Sequence, residues 1–215
     1  MKSKGRKQMD LNKKLIEACL QDDVNFEEVK LLLKQGADPI GYYNENGLNV
    51  LRQIIGVRGT FDKEDNTTVY DLIKLFLDYG MNINLYMPML DKKSRITSPF
   101  DGLIRMSPEK QIKVLSLLLN EQTEASLLDN YILDICAKMR ECKTNDVARF
   151  AKVIIYLSSF ENLLKHNTKL HEILKIDFTD YELDSFRNPD DFDITVKRNK
   201  KDNKLIIEIS DKDND

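Results

Sequence analysis

Two histidines, three cysteines and a few adjacent carboxylates are the residues of this chain whose types suit catalysis or metal binding. Their spacing argues against both. His166 and His171 stand five positions apart on one helical pattern, about 140° around the axis, and so do not share a face as i, i+4 ligands would. Both are expected to be solvent-facing polar residues. Cys136 and Cys142 could meet only across a helix end, which makes a poor zinc site. The pairs Asp22-Asp23 and Asp190-Asp191 fall where carboxylates cap helices and fix loops, not where an acid and a base are held apart. No phosphate-binding glycine loop, dinucleotide fingerprint, nucleophile elbow or C-x-x-C occurs. The expectation is a protein with no catalytic residue, no metal and no cofactor.

Charge and composition narrow the partners. With 33 basic and 36 acidic side chains the net charge is −3, so nothing general points to nucleic acid. The basic runs Lys2–Lys7 and Val196–Lys204 carry no interleaved aromatics, and are read as solvated segments. No apolar run approaches a membrane span, and no apolar stretch follows the basic N-terminus as in a secretory signal. Cys19 and Cys136 sit inside apolar helical patterns, the signature of buried thiols in a reducing compartment. A cytoplasmic, monomeric protein without membrane contact is expected, with export by a route lacking such a signal left open.

The elements that would position any site are helices. Leu15, Ile16, Cys19 and Leu20 form one apolar stripe. Asn25 reads as an N-cap with Glu28 three positions later. The next helix carries Phe26, Val29, Leu32 and Leu33 and stops at Gly36, placed at C′ where a left-handed conformation is needed. The unit then recurs with variation: Gly47–Ile55 with Thr67–Gly80, Thr97–Ile104 with Ser107–Asn120, and Leu127–Met139 with Asn145–Leu157. Ser98 is read as a cap with Pro99 at the first helical position. About four helix pairs at this spacing predict a stacked array, each pair burying its neighbour's face.

Glu28–Ile40, "EVKLLLKQGADPI", and Leu72–Asn84, "LIKLFLDYGMNIN", resemble the second helix and turn of ankyrin repeats. "TSPFDGLI" is similar to that family's T-P-L-H opening, and "LIEAC", Leu15–Cys19, to its first-helix core. The likeness covers roughly Leu11 to Leu157. Gly36 and Gly80, however, are 44 positions apart, against a family unit of about 33. The segment Gly56–Thr67 is therefore expected to be an extra loop. Arg52 and Asp101 stand where the family has its histidine, which puts that residue's ties between neighbouring turns in doubt.

The resulting expectation is a mainly α protein: a flexible basic segment 1–10, an ankyrin-like solenoid of about four helix pairs over 11–157, a C-terminal cap over 158–210, and an acidic tail 211–215. The cap is read as one amphipathic helix followed by a β-hairpin. Phe192, Ile194 and Val196 alternate on its first strand, and Leu205, Ile207 and Ile209 on its second. Lys197, Lys200, Lys201 and Lys204 near the turn oppose pairing between copies.

The resemblance implies a non-enzymatic module that binds a protein partner through its repeat turns and concave helix face. Tyr42 and Tyr43 in the first turn, and Leu85, Tyr86, Met87 and Met89 in the second, are the candidate contact residues, with Arg52 and Arg105 as rim charges. Apolar area of this kind in a loop serves either an interface or internal packing. A bacterial immunity-type protein that neutralises a toxin is one form of the same reading. The alternative class is an enzyme using Gly56–Thr67 and the C-terminal region.

Overall fold

Leu31, Leu32 and Leu33 are consecutive, and three consecutive helical positions sweep about 200°, so one of them must face outward. In the computed structural model Leu32 and Leu33 are buried with Val29, and Leu31 is 55% exposed. The structure describes residues 2–44, 48–61, 68–86, 98–141, 144–167, 192–198 and 205–211. They are mainly helical. The chain divides into two compact units, Met1–Met106 with Lys113–Leu118, and Ser107–Ile112 with Leu119–Asp215.

The first unit holds α1 (Lys2–Cys19), α2 (Phe26–Lys34), α3 (Val50–Phe61), α4 (Thr68–Asp78) and 3-10 turns at Ile83–Leu85 and Pro99–Arg105. The Asn25 side chain caps α2 by accepting from the amides of Glu27 and Glu28. At its other end Gly36 takes φ 95°, and α4 ends the same way at Gly80, φ 84°. Gly36 N–H donates to Leu33 O and Ala37 N–H to Leu32 O. Gly80 and Met81 repeat the pattern onto Leu77 and Phe76. Both helices therefore close with a Schellman motif, in which a side chain at the glycine would be strained. α1 packs against α2 and α3, and α3 packs against α4 and Pro99–Arg105.

Two expectations change here. The segment 1–10 does not stand apart as a tail: α1 begins at Lys2, and Gln8 donates to Asn12 Oδ1 and to Gly36 O. Nor is Gly56 the start of a loop, because α3 continues through Gly56 and Gly59 to Phe61. The glycines serve close packing. A Cβ at Gly102 would lie 2.8 Å from the Gly56 nitrogen and 3.0 Å from its Cα, and one at Gly59 would collide with Met106. Residues 62–67 lie outside the described residues. Pro99–Arg105 is a 3-10 turn with Ser98 at its cap: Phe100 N–H donates to Ser98 Oγ, and Ser98 N–H to Asp101 Oδ2.

The second unit contains α6 (Asp129–Glu141), α7 (Thr144–Ser158) and α8 (Glu161–His166). The boundary between units falls within α5 (Pro108–Leu118), not after Leu157, so α6 and α7 group with the C-terminal segment. Burial gives the reason. Val153 to Leu157 are buried without interruption, as in a helix covered on all sides, and α7 packs with α6, α8 and β1 (Phe192–Arg198). β1 pairs antiparallel with β2 (Leu205–Asp211), Ile194 opposite Ile209 and Val196 opposite Ile207. In the core of this unit the Tyr131 hydroxyl donates to Gln111 Oε1 at 2.6 Å, both residues being fully buried. Arg149 makes a two-pronged pair with Glu109 at 2.9 Å.

Candidate docking surface

The segment joining α2 to α3 leaves the Gly36 turn and doubles back on itself. Tyr42 bridges Asn49, Tyr43 N–H donates to Leu48 O at 3.0 Å, and Leu51 N–H to Pro39 O at 2.8 Å. Two buried asparagines hold this ribbon. Asn12 on α1 accepts from Asp38 N–H at 2.8 Å and donates to Tyr42 O at 3.0 Å. Asn49 donates to Ile40 O and accepts from Arg52 N–H. Buried amides satisfied on both sides fix the loop's path as ladder bonds would. Gly41 passes so close to Asn12 that a Cβ would collide with its amide.

The ribbon stands between two grooves. One, of about 480 Å³, lies between the Gly36–Tyr42 turn and the turn after α4, where Tyr79, Met81, Asn82 and Leu85 line it. The other, of about 810 Å³, runs between Asp38, Gly41 and Tyr42 and the N-terminal half of α1, at Arg6 and Met9. Asp38 and Tyr42 border both. The first groove has an apolar lip: Leu85 is 68% exposed and Tyr79 37%.

The hydroxyls around the ribbon are neutral donors. Burial pushes Tyr42 up to about 12, aided by the Tyr86 hydroxyl, with which it shares a hydrogen bond. Burial also raises Tyr43, partly offset by Arg52. Arg52 in turn lies 3.6 Å from Asp101 Oδ2. This pair ties α3 to the neighbouring 3-10 turn.

The expected contact residues separate into groups. Tyr42 and Leu85 line the same groove. Tyr43 and Arg52 are half-buried beside each other, and Arg105 is exposed but lines neither groove. Tyr86 is only 4% exposed and serves internal packing. Met87 and Met89 lie outside the described residues. Tyr79, Asn12 and Asn49 escaped the sequence reading. Tyr79 precedes Gly80 at a helix end, a detectable signal, whereas the asparagines sit in apolar patterns that give no hint of a turn to hold.

Among the described residues no group of three or more His, Cys, Asp or Glu is placed to hold a metal ion, and no helix is long and apolar enough to cross a membrane. Cys19 and Cys136 are buried, and burial pushes the Cys19 thiol up to about 12. His166 pairs with Asp129 at 3.2 Å on the surface. His171 and Cys142 lie outside the described residues. No family model, curated protein or solved structure matches the chain.

Proposed function

We propose that this protein is a non-enzymatic docking module that holds a folded protein partner on the ribbon Asp38–Tyr42 and the two grooves beside it. In this reading α1/α2, α3/α4 and the Pro99–Arg105/α5 pair are successive members of a short ankyrin-like array. The Arg52–Asp101 contact takes the part of the histidine ties, and the C-terminal helix and strands act as a cap. The observation that carries the proposal is Leu85. A leucine 68% exposed at the lip of a groove, on a turn whose neighbour Tyr86 is buried, is area the fold does not use.

Burying one such side chain against a partner is worth about 1.5–3 kcal/mol, roughly a ten- to hundredfold change in affinity. Tyr79 adds an aromatic anchor of the kind enriched at interface centres. The test is the double variant Leu85→Ser with Tyr79→Ser. A partner is isolated by affinity capture from native lysate, purified, and titrated calorimetrically against wild type and variant. Weakening of about tenfold or more with an unchanged melting temperature supports the proposal. Equal affinity for both proteins refutes it.

A further inference from the structure

We infer that the groove between the Gly36–Tyr42 turn and the turn after α4 takes an arginine side chain of the partner, its guanidinium held by Asp38 and its stem laid against Tyr79 and Leu85. The inference rests on the docking reading above and names the chemistry that reading leaves open. The groove selects its ligand by the donors it has spent, by the sign of its charge, and by the aromatic and aliphatic side chains that line the rest of it.

On the wall Gly36–Gly41 every backbone N–H is already donated. Gly36 and Ala37 close α2 by donating to Leu33 O and Leu32 O, and Gly41 N–H goes to Asp38 O. Asp38 N–H goes to Asn12 Oδ1 at 2.8 Å, and Ile40 N–H to Asp38 Oδ1 at 3.0 Å. Pro39 has no N–H to give. The hydroxyl of Tyr42, at the end of this wall, is engaged with that of Tyr86. Such a wall cannot cradle an anion as a nest of N–H groups does. Facing it, Tyr79 and Asn82 offer neutral donors only. Asp38 is the one charged side chain among the described residues that line the groove. It is half-buried, and no Lys or Arg among the described residues pairs with it. An anionic acceptor beside spent donors calls for a ligand that brings N–H groups and positive charge.

Arginine fits this lining better than lysine. Tyr79 is 37% exposed and Leu85 68%. A planar, weakly hydrated guanidinium stacks on a tyrosine face while its fork meets a carboxylate, and its aliphatic stem buries against leucine. A lysine ammonium holds its water more strongly and has no flat face to stack. The groove's volume of about 480 Å³ lies within the range of sites that enclose small ligands. The second groove suits a cation less, because Arg6 already lines it together with Asp10 and Asp38.

The test is a titration of the isotope-labelled full chain with short capped peptides, read from backbone amide shifts. The probes are Gly-Arg-Gly, Gly-Lys-Gly, Gly-Glu-Gly and Gly-citrulline-Gly, citrulline being an uncharged near-isostere of arginine. The arginine peptide should saturably shift amides of residues 36–42 and 79–85, and bind about tenfold or more tighter than the citrulline peptide. Asp38→Asn keeps an oxygen for Ile40 N–H and should weaken the arginine peptide by about tenfold or more. Tyr79→Leu should weaken it by about two- to fivefold. Should Asp38→Asn misfold, the four peptides on the unmodified chain decide. Equal binding of the arginine and citrulline peptides, tighter binding of the lysine or glutamate peptide, shifts outside the two turns, or no shift at all overturns the inference. The docking reading is judged separately with the purified partner. If Leu85→Ser with Tyr79→Ser releases that partner while Asp38→Asn leaves its affinity unchanged, the docking surface stands and the arginine is refuted.

Discussion

Gly56 and Gly102 face each other, yet alanine should act in opposite directions at the two positions. Inside α3 the Gly56 position needs no special backbone angle, and a Cβ there meets only the Gly102 Cα, at 3.9 Å, an ordinary contact. Gly56→Ala should therefore recover helix propensity, up to about 1 kcal/mol. At Gly102 the same methyl would press on the Gly56 nitrogen at 2.8 Å, on its Cα at 3.0 Å and on Ile55 Cγ2 at 3.2 Å. Backbone cannot rotate aside as a side-chain tip can, so the 3-10 turn must lift off α3, at a cost of about 1–3 kcal/mol. For a chain of this length each kcal/mol moves the melting temperature by about 2–4 °C. Urea unfolding of the three proteins side by side should give midpoints in the order Gly56→Ala, wild type, Gly102→Ala. If Gly102→Ala proves neutral, or the two variants shift together, the close approach of Pro99–Arg105 to α3 is wrong.

Two further outcomes test the second unit. Hydrogen bonds from the Arg149 guanidinium hold the Glu109 carboxyl down to about 2, against an ordinary 4.5, so its contribution is complete above about 4.5 and is lost as the pH falls through about 2. Arg149→Gln should flatten that acid limb of the stability curve. At neutral pH it should cost below about 1 kcal/mol, since both partners are half exposed; an unchanged acid limb in pH-dependent urea midpoints would contradict the pair. Tyr131→Phe takes the donor away from the buried Gln111 oxygen, at a cost of about 1–3 kcal/mol. Adding Gln111→Leu should restore part of that loss in thermal melts, because the polar acceptor then goes too.

Helix ends and caps were legible in the sequence because their chemistry is local. Asn25 and Ser98 act through side chains on amides two or three positions along, Gly36 through its own φ, and each stands in the role its residue type implies. Gly56 and Gly59 misled for the converse reason. A glycine run read locally is a loop signal, but here the glycines answer to Gly102 and Met106, more than 40 positions away. The same non-locality moved the division of the chain. The apolar run Val153–Leu157 looks like another amphipathic helix until β1 and α8 are seen to pack on α7.

The surface was half legible, and the residues 83–86 show where reading must stop. Asn82 caps a single 3-10 turn over Ile83–Leu85, in which successive side chains step by about 120°. Ile83 and Tyr86, three positions apart, point inward together, and Leu85 between them points out. A string of apolar residues thus contains both buried and exposed positions, and only the turn's handedness and rise assign them. Composition alone gave Leu85 and Tyr86 equal standing as contacts. The cap chosen by Asn82 separates them, leaving Tyr86 to tie the second turn to Tyr42 of the first, and leaving Leu85 as the residue through which a partner would feel both.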